Sequence, residues 1–219
     1  VWDGGNNDFS FYLPDLEIVV VDPHRPGDEL AFYPGEVNFK RADVIVINKM
    51  DTAEDSNIRL IKQNIQACNA SAVVIEARSP VFAEQGQSIS GKRVMVVEDG
   101  PTLTHGGMKY GAGTLAAKKY GAKEIVDPRP WLNGSLVDTF NKYPEIGNLL
   151  PAMGYGIDQI KDLEQTINAS DCDLVVIGTP IDLTRVIDIQ KPSVRVTYEL
   201  EEVGTPNLET VLKPFLSPA

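Results

Sequence analysis

Cysteine and histidine are scarce, the whole complement being Cys68, Cys172, His24 and His105. The two cysteines lie far apart with no second Cys or His at metal-ligand spacing, so neither a disulfide framework nor a zinc site is expected. Basic residues are outnumbered, 20 Lys and Arg against 31 Asp and Glu, for a net charge of −11. That excludes a nucleic-acid partner, because phosphate contacts need a basic face. Cations can act here only as a local pocket. No apolar run approaches the roughly 20 residues that cross a bilayer, and the opening Val1-Trp2-Asp3-Gly4-Gly5 has no basic leader region. A cytoplasmic protein with no membrane partner is expected. An initiator Met is also missing and the chain opens in what reads as a strand, so a fragment is expected.

What the chain does have is material for a core: 42% apolar and 7% aromatic residues over 219 positions, enough to bury roughly 70% of the unfolded surface. Short β-branched runs recur at 16–21, 42–47, 72–75, 93–97, 124–126, 173–177 and 194–200. The first six lack polar alternation and read as strands buried on both faces, which usually lie parallel. Between them Ile58, Ile61 and Ile65 share a helical face, 114–121 reads as a helix stopped by glycine, and Ile157, Ile160, Leu163 and Ile167 form a second stripe. The expected class is α/β with mostly parallel three-layer sheets. The polar stretch 79–91 divides a front piece, residues 1–80, from a back domain, residues 92–219. A single continuous sheet is the alternative, and there is no internal repeat.

Four loops carry candidate chemistry. Asn48-Lys49-Met50-Asp51 follows the run Val44-Ile45-Val46-Ile47. At a strand's carboxyl end such an Asp can accept from the N1–H and 2-amino group of a purine, with the Lys stem covering the base and the Asn bracing the loop. Guanine fits that pair of donors better than adenine. The same residues also make ordinary turns. Asp3, followed by Gly4 and Gly5, is placed where a P-loop NTPase holds Mg²⁺, and Glu76-Ala77-Arg78-Ser79 where such domains close around the base. The only near match to a phosphate loop, 86–92, has Arg93 in the hydroxyl position and precedes a strand. It reads as a decoy, and the true loop is expected ahead of Val1.

The third loop, Thr102 to Thr114, contains His105, Gly106, Gly107 and Lys109 between a strand and a helix. Glycines there let backbone approach an anion at a helix N-terminus, with Lys109 and a protonated His105 meeting its charge. The fourth, Asp22-Pro23-His24-Arg25, offers a guanidinium fork and a group able to move a proton near neutral pH. Arg129 and Arg185 also stand just beyond strands, and together these cations would trap a small polyanion.

The segments VWDGGNNDF, VVVDPHRPGDEL, ADVIVINKMD, VMVVEDGPTLTHGGMKYGAGTLAAKKYGA, LLPAMGYG, DLEQTIN and CDLVVIGTPIDL, in this order, resemble the cyclic 2,3-diphosphoglycerate synthetases, whose members are often described as predicted GTPases. That resemblance implies a P-loop NTPase-like piece followed by a Rossmann-like domain. It also implies an ATP-dependent synthetase that closes a phosphoanhydride within 2,3-diphosphoglycerate. ATP, with GTP as the alternative, and Mg²⁺ are the implied cofactors, and a small phosphorylated polyanion the substrate. Residues then fall into roles by their chemistry: Asp3 for Mg²⁺; Asn48, Lys49, Asp51, Gly106 and Gly107 for the nucleotide; His24, Arg25, His105 and Lys109 for the transferred group. A fragment without its phosphate loop would be inactive alone. A GTP-regulated switch or metallochaperone is the runner-up, and homo-oligomer formation is left open.

Overall fold

In the computed structural model, residues 1–5, 8–104, 108–154 and 156–216 are described. The fold is α/β with two mostly parallel sheets, as the pattern of apolar runs predicts. The chain divides into two compact units, Val1–Pro80 with Glu199–Ala219, and Val81–Tyr198.

In the first unit, β1 (Ile18–Val21), β2 (Val44–Ile47) and β3 (Val73–Arg78) run parallel, in register through Val21, Ile47 and Glu76. A two-residue strand, Glu201–Glu202 (β10), closes the far edge antiparallel to β3, so the segment after 199 belongs with this unit although the sequence leaves it in the back piece. Every residue of β2 is buried, as four β-branched side chains in a central strand should be. On one face Ile45 and Ile47 meet Phe39 of α2 (Gly35–Arg41) and Ile61 and Ile65 of α3 (Asp55–Cys68). On the other, Val44, Val46, Ile75 and Ala77 meet Leu208 and Val211 of α8 (Leu208–Leu216). A four-residue helix, α1 (Asp28–Ala31), completes the connection from β1 to α2.

The expectation of burial on both faces fails for β1. It is the edge strand, and Ile18 and Val20 are 37% and 63% exposed. A run of apolar residues reports packing on at least one face but carries no mark of which strand stands at the edge. The strand expected at the start of the chain is also missing, since residues 1–5 have no regular structure.

The second unit is built on β5 (Arg93–Asp99). It pairs in parallel with β6 (Glu124–Ile125) near its start, with β7 (Leu150–Ala152) near its end, and with β8 (Leu174–Ile177) on the opposite side. Next come β9 (Ser193–Tyr198), parallel to β8, and the antiparallel edge strand β4 (Val81–Ala83). Helices α4 (Gly100–Thr104), α5 (Ala112–Lys119), α6 (Ser135–Lys142) and α7 (Ile157–Ala169) supply the connections. The stretch read as a polar divider thus contains β4 and a single 3₁₀ turn, Gly86–Ile89, before β5. No helix follows that turn, so the near match at 86–92 has no helix N-terminus to offer a phosphate. β4, β7 and β10 escape the sequence, being two or three residues long without a β-branched run, and Pro151 interrupts β7.

Cys68 is exposed, Cys172 buried, and both are free. Among the described residues no helix is long and apolar enough to cross a membrane.

The packing contrast on the first sheet is testable. Ile45→Ala removes a side chain with no exposed surface and should cost about 2–5 kcal/mol in urea unfolding. Val20→Ala, one strand over, should cost under about 0.5 kcal/mol if its face meets solvent.

Candidate functional site

Because β1, β2 and β3 are parallel, their carboxyl ends deliver three loops to one edge of the first unit. The loop after β2 starts at Asn48, whose amide N–H donates to Val21 O at 3.1 Å and whose Oδ1 accepts from Lys49 N at 2.8 Å. Lys49 itself sits in the left-handed region, φ 58°, a conformation that costs a non-glycine residue about 1–2 kcal/mol. The turn persists because it is tied on every side. Met50 N donates to Ala77 O at 3.1 Å, and Asp51 Oδ1 accepts from Ser79 N at 3.0 Å, joining the motif to the end of β3. Toward β1, Lys49 Nζ lies 2.6 Å from Asp22 Oδ2, and His24 Nε2 lies 2.9 Å from Thr52 Oγ1. Arg25 Nη2 approaches the same Asp22 oxygen at 3.7 Å.

The fold therefore gathers His24, Arg25, Asn48, Lys49 and Asp51 at one strand edge, with Asp22 at the centre. Asp22 is a residue that the sequence reading passes over. Its signal was available, as a carboxylate directly after the apolar run Ile18 to Val21. Partial burial works to raise its pKa, but the Lys49 hydrogen bond and charge, the His24 amide and the His24 charge outweigh it and hold the carboxyl below its ordinary value.

Asp3 is exposed in a stretch without regular structure, where Gly5 N donates to Asp8 Oδ2 at 3.2 Å. Among the described residues no three His, Cys, Asp or Glu side chains come together as a metal would require. Mg²⁺ carried by a nucleotide takes only one or two protein carboxylates, so this bears on a dedicated metal cluster and not on Asp3 as a single ligand.

In the second unit Lys109 is exposed, while His105, Gly106 and Gly107 lie outside the described residues. The N-terminus of α5, where an external anion is expected, is occupied from within. Glu98, only 1% exposed at the end of β5, accepts from Gly111 N at 3.1 Å, Gly113 N at 3.2 Å, and Thr114 N and Oγ1 at 2.7 and 2.8 Å. These are the N–H groups a phosphate would use. The glycines do permit close approach, but the anion they admit is the chain's own carboxylate. A Cβ on Gly113 would stand 2.8 Å from Val96 Cγ1, and one on Gly178, just past β8, would stand 2.5 Å from Glu98 Oε2. Burial pushes the Glu98 carboxyl above its ordinary value, against the pull of its Thr114, Gly113 and Gly111 donors. A charged residue inside the apolar run Val94 to Val97-Glu98 was the legible warning.

Arg129 and Arg185, also expected to attract a polyanion, each stand beside a carboxylate. Arg129 makes two contacts with Asp127, at 3.1 and 3.0 Å, and Arg185 Nε lies 3.3 Å from Asp182. Each is matched by a carboxylate two or three residues away.

Fold and loop geometry together define an α/β protein of the class that presents ligands at the carboxyl ends of parallel strands. No protein-family model matches the chain. It is similar to arginine synthetase ArcE of Thermococcus kodakarensis, 61% identical over 215 residues, covering 98% of this chain and 48% of that protein. The chain thus spans about half the length of the curated relative it matches. This likeness corrects the resemblance to cyclic 2,3-diphosphoglycerate synthetases, because the relative sharing 61% of residues is named for arginine. Several of the segments that carried the resemblance, such as VVVDPHRPGDEL, ADVIVINKMD and CDLVVIGTPIDL, are a strand with the loop after it, and DLEQTIN lies within α7; such segments describe a scaffold and do not identify what it holds.

Asp22 and Glu98 give opposite pH signatures. Asp22, lowered, contributes stability that is present above its ordinary 3.8 and lost as pH falls. Glu98, raised, contributes stability that is present below its ordinary 4.5 and lost as pH rises through the folded value. In urea unfolding at stepped pH, the advantage of wild type over Asp22→Asn should shrink toward acid, and that over Glu98→Gln should shrink toward neutrality. Gly178→Ala should destabilise by about 1–3 kcal/mol in the same assay.

Proposed function

We propose that this chain supplies the base-recognition part of a purine-nucleotide-dependent synthetase whose product is arginine. One observation carries the reading: an N-K-x-D loop is tied at the carboxyl edge of a parallel sheet with Asp51 fixed by Ser79, in a chain 61% identical to a protein named arginine synthetase. The chain's share of that relative makes arginine formation a proposal for the whole protein.

Asp51 is the base reader. Its carboxylate accepts from the guanine N1–H and 2-amino group, whereas adenine turns a lone pair at N1 toward it. The motif therefore favours GTP, while ATP is the donor first inferred for a synthetase, and the nucleotide arrives with Mg²⁺ on its own phosphates. Arg25 and His24, on the neighbouring loop, are proposed to meet anionic groups of nucleotide or substrate. His105, Gly106, Gly107 and Lys109 are proposed for the same duty in the second unit.

Making arginine by synthetase chemistry means replacing an oxygen on the terminal carbon by nitrogen. The γ-phosphoryl group goes to that oxygen, a nitrogen donor attacks the carbon, and the oxygen leaves with phosphate. The precursor is the ureido amino acid that differs from arginine by oxygen for nitrogen.

Two measurements test this. In equilibrium competition GTP should displace a fluorescent guanosine nucleotide better than ATP does, and Asp51→Asn, which offers an amide donor in place of an acceptor, should move preference toward xanthine. Equal displacement by all purines would remove Asp51 as base reader. For the whole protein, ureido precursor, ammonium and nucleotide should yield arginine by mass spectrometry, one phosphate released per arginine. Arginine formed without nucleotide, or none formed, would refute the synthetase reading.

A further inference from the structure

The loop after β1 and the loop after β2 are joined through one carboxylate. Asp22 follows the last residue of β1, its side chain is 14% exposed, and it accepts from Lys49 Nζ at 2.6 Å and from the His24 amide at 3.0 Å. Lys49 keeps 40% of its side chain exposed. Its backbone occupies a left-handed turn at φ 58°, so the direction in which its side chain departs is set by the turn, and the position of its far end by Asp22. Between those fixed points runs an apolar stem, two residues before Asp51 in a loop that Ser79 holds from the other side.

From this geometry we infer that Asp22 is a positioning residue for nucleotide recognition: by anchoring the Lys49 ammonium it holds the lysine stem as a prearranged shelf for the purine ring. The inference rests on the base-reading role proposed for Asp51 and adds a second, chemically separate contribution. Asp51 discriminates between bases by accepting hydrogen bonds at the ring edge. The shelf meets the ring face, which every purine shares, and adds affinity without discrimination. A free lysine would have to surrender side-chain entropy on binding, whereas one already tethered surrenders less. Because the pair is partly solvated, its effect is modest.

The two contributions separate experimentally. Binding of GTP and of ITP, which lacks the 2-amino group, is measured by calorimetry for wild type, Asp22→Asn, Lys49→Met and the double variant. Asp22→Asn should weaken both nucleotides by the same factor, roughly fivefold, and leave the GTP-to-ITP ratio unchanged. Lys49→Met keeps an apolar stem but removes the tethered charge, so in that background Asp22→Asn should have no further effect. Asp22→Glu should recover part of the loss. Circular dichroism melting of each variant accompanies the titrations; should Asp22→Asn fail to fold, Asp22→Glu and Lys49→Met carry the comparison.

Unchanged affinity in Asp22→Asn, or equal effects of that substitution with and without Lys49, would overturn the positioning role. A loss confined to the GTP-to-ITP ratio would overturn it too, placing Asp22 behind Asp51. Failure of the underlying reading looks different, since wild type itself would then bind GTP and ITP alike or not at all, and the inference would fall with it.

Discussion

The contact between Asp22 and Lys49, 2.6 Å across the ends of two parallel strands, is the constraint from which the rest of the first unit's site follows. A lysine in a left-handed turn is an unfavourable residue in an unfavourable conformation. It is tolerable only where surrounding groups over-determine it. Here Asn48 holds the turn from within, Asp22 from the β1 side, and the Met50 and Asp51 contacts from the β3 side. Parallel pairing is the precondition, because antiparallel neighbours would send alternate loops to opposite edges.

Glu98 shows the same economy with the opposite electrostatic sign. Asp22 is a carboxylate kept charged by a cation, whereas Glu98 is a carboxylate whose ionisation burial resists despite three backbone donors and a hydroxyl. The second unit thus binds an anion at a helix N-terminus, as its glycines promise, yet the anion is covalently part of the chain. An invading phosphate would have to displace a side chain held by four donors. The N–H groups of Gly111, Gly113 and Thr114 are therefore committed to Glu98.

In the function proposed above, the likeness to arginine synthetase ArcE, over 98% of this chain, alters the purpose of a nucleotide and leaves its proposed mode of recognition as it was. A phosphoryl group that makes a phosphoanhydride and one that turns an oxygen into a leaving group ask the protein for similar things: a fixed nucleotide, cations near the transferring group and exclusion of water. Segments that build such a scaffold can be shared whatever the acceptor, so likeness in them does not fix the reaction.

Much of the scaffold was legible in the amino-acid order, because burial on both faces demands unbroken β-branched runs and helix packing demands a 3.6-residue stripe. β2, β5, β8 and the Ile58–Ile61–Ile65 face all carry those marks. So does the motif at Asn48, since its residues are neighbours in sequence. Edge status, the short strands β4, β7 and β10 and the return of residues 199–219 to the first sheet leave no such trace, being properties of which segment lies beside which. The pairing of Asp22 with Lys49 and of Glu98 with Thr114 belongs to that second kind. Each joins residues 16 or more positions apart, and only the closing of the sheets brings donor and acceptor within reach.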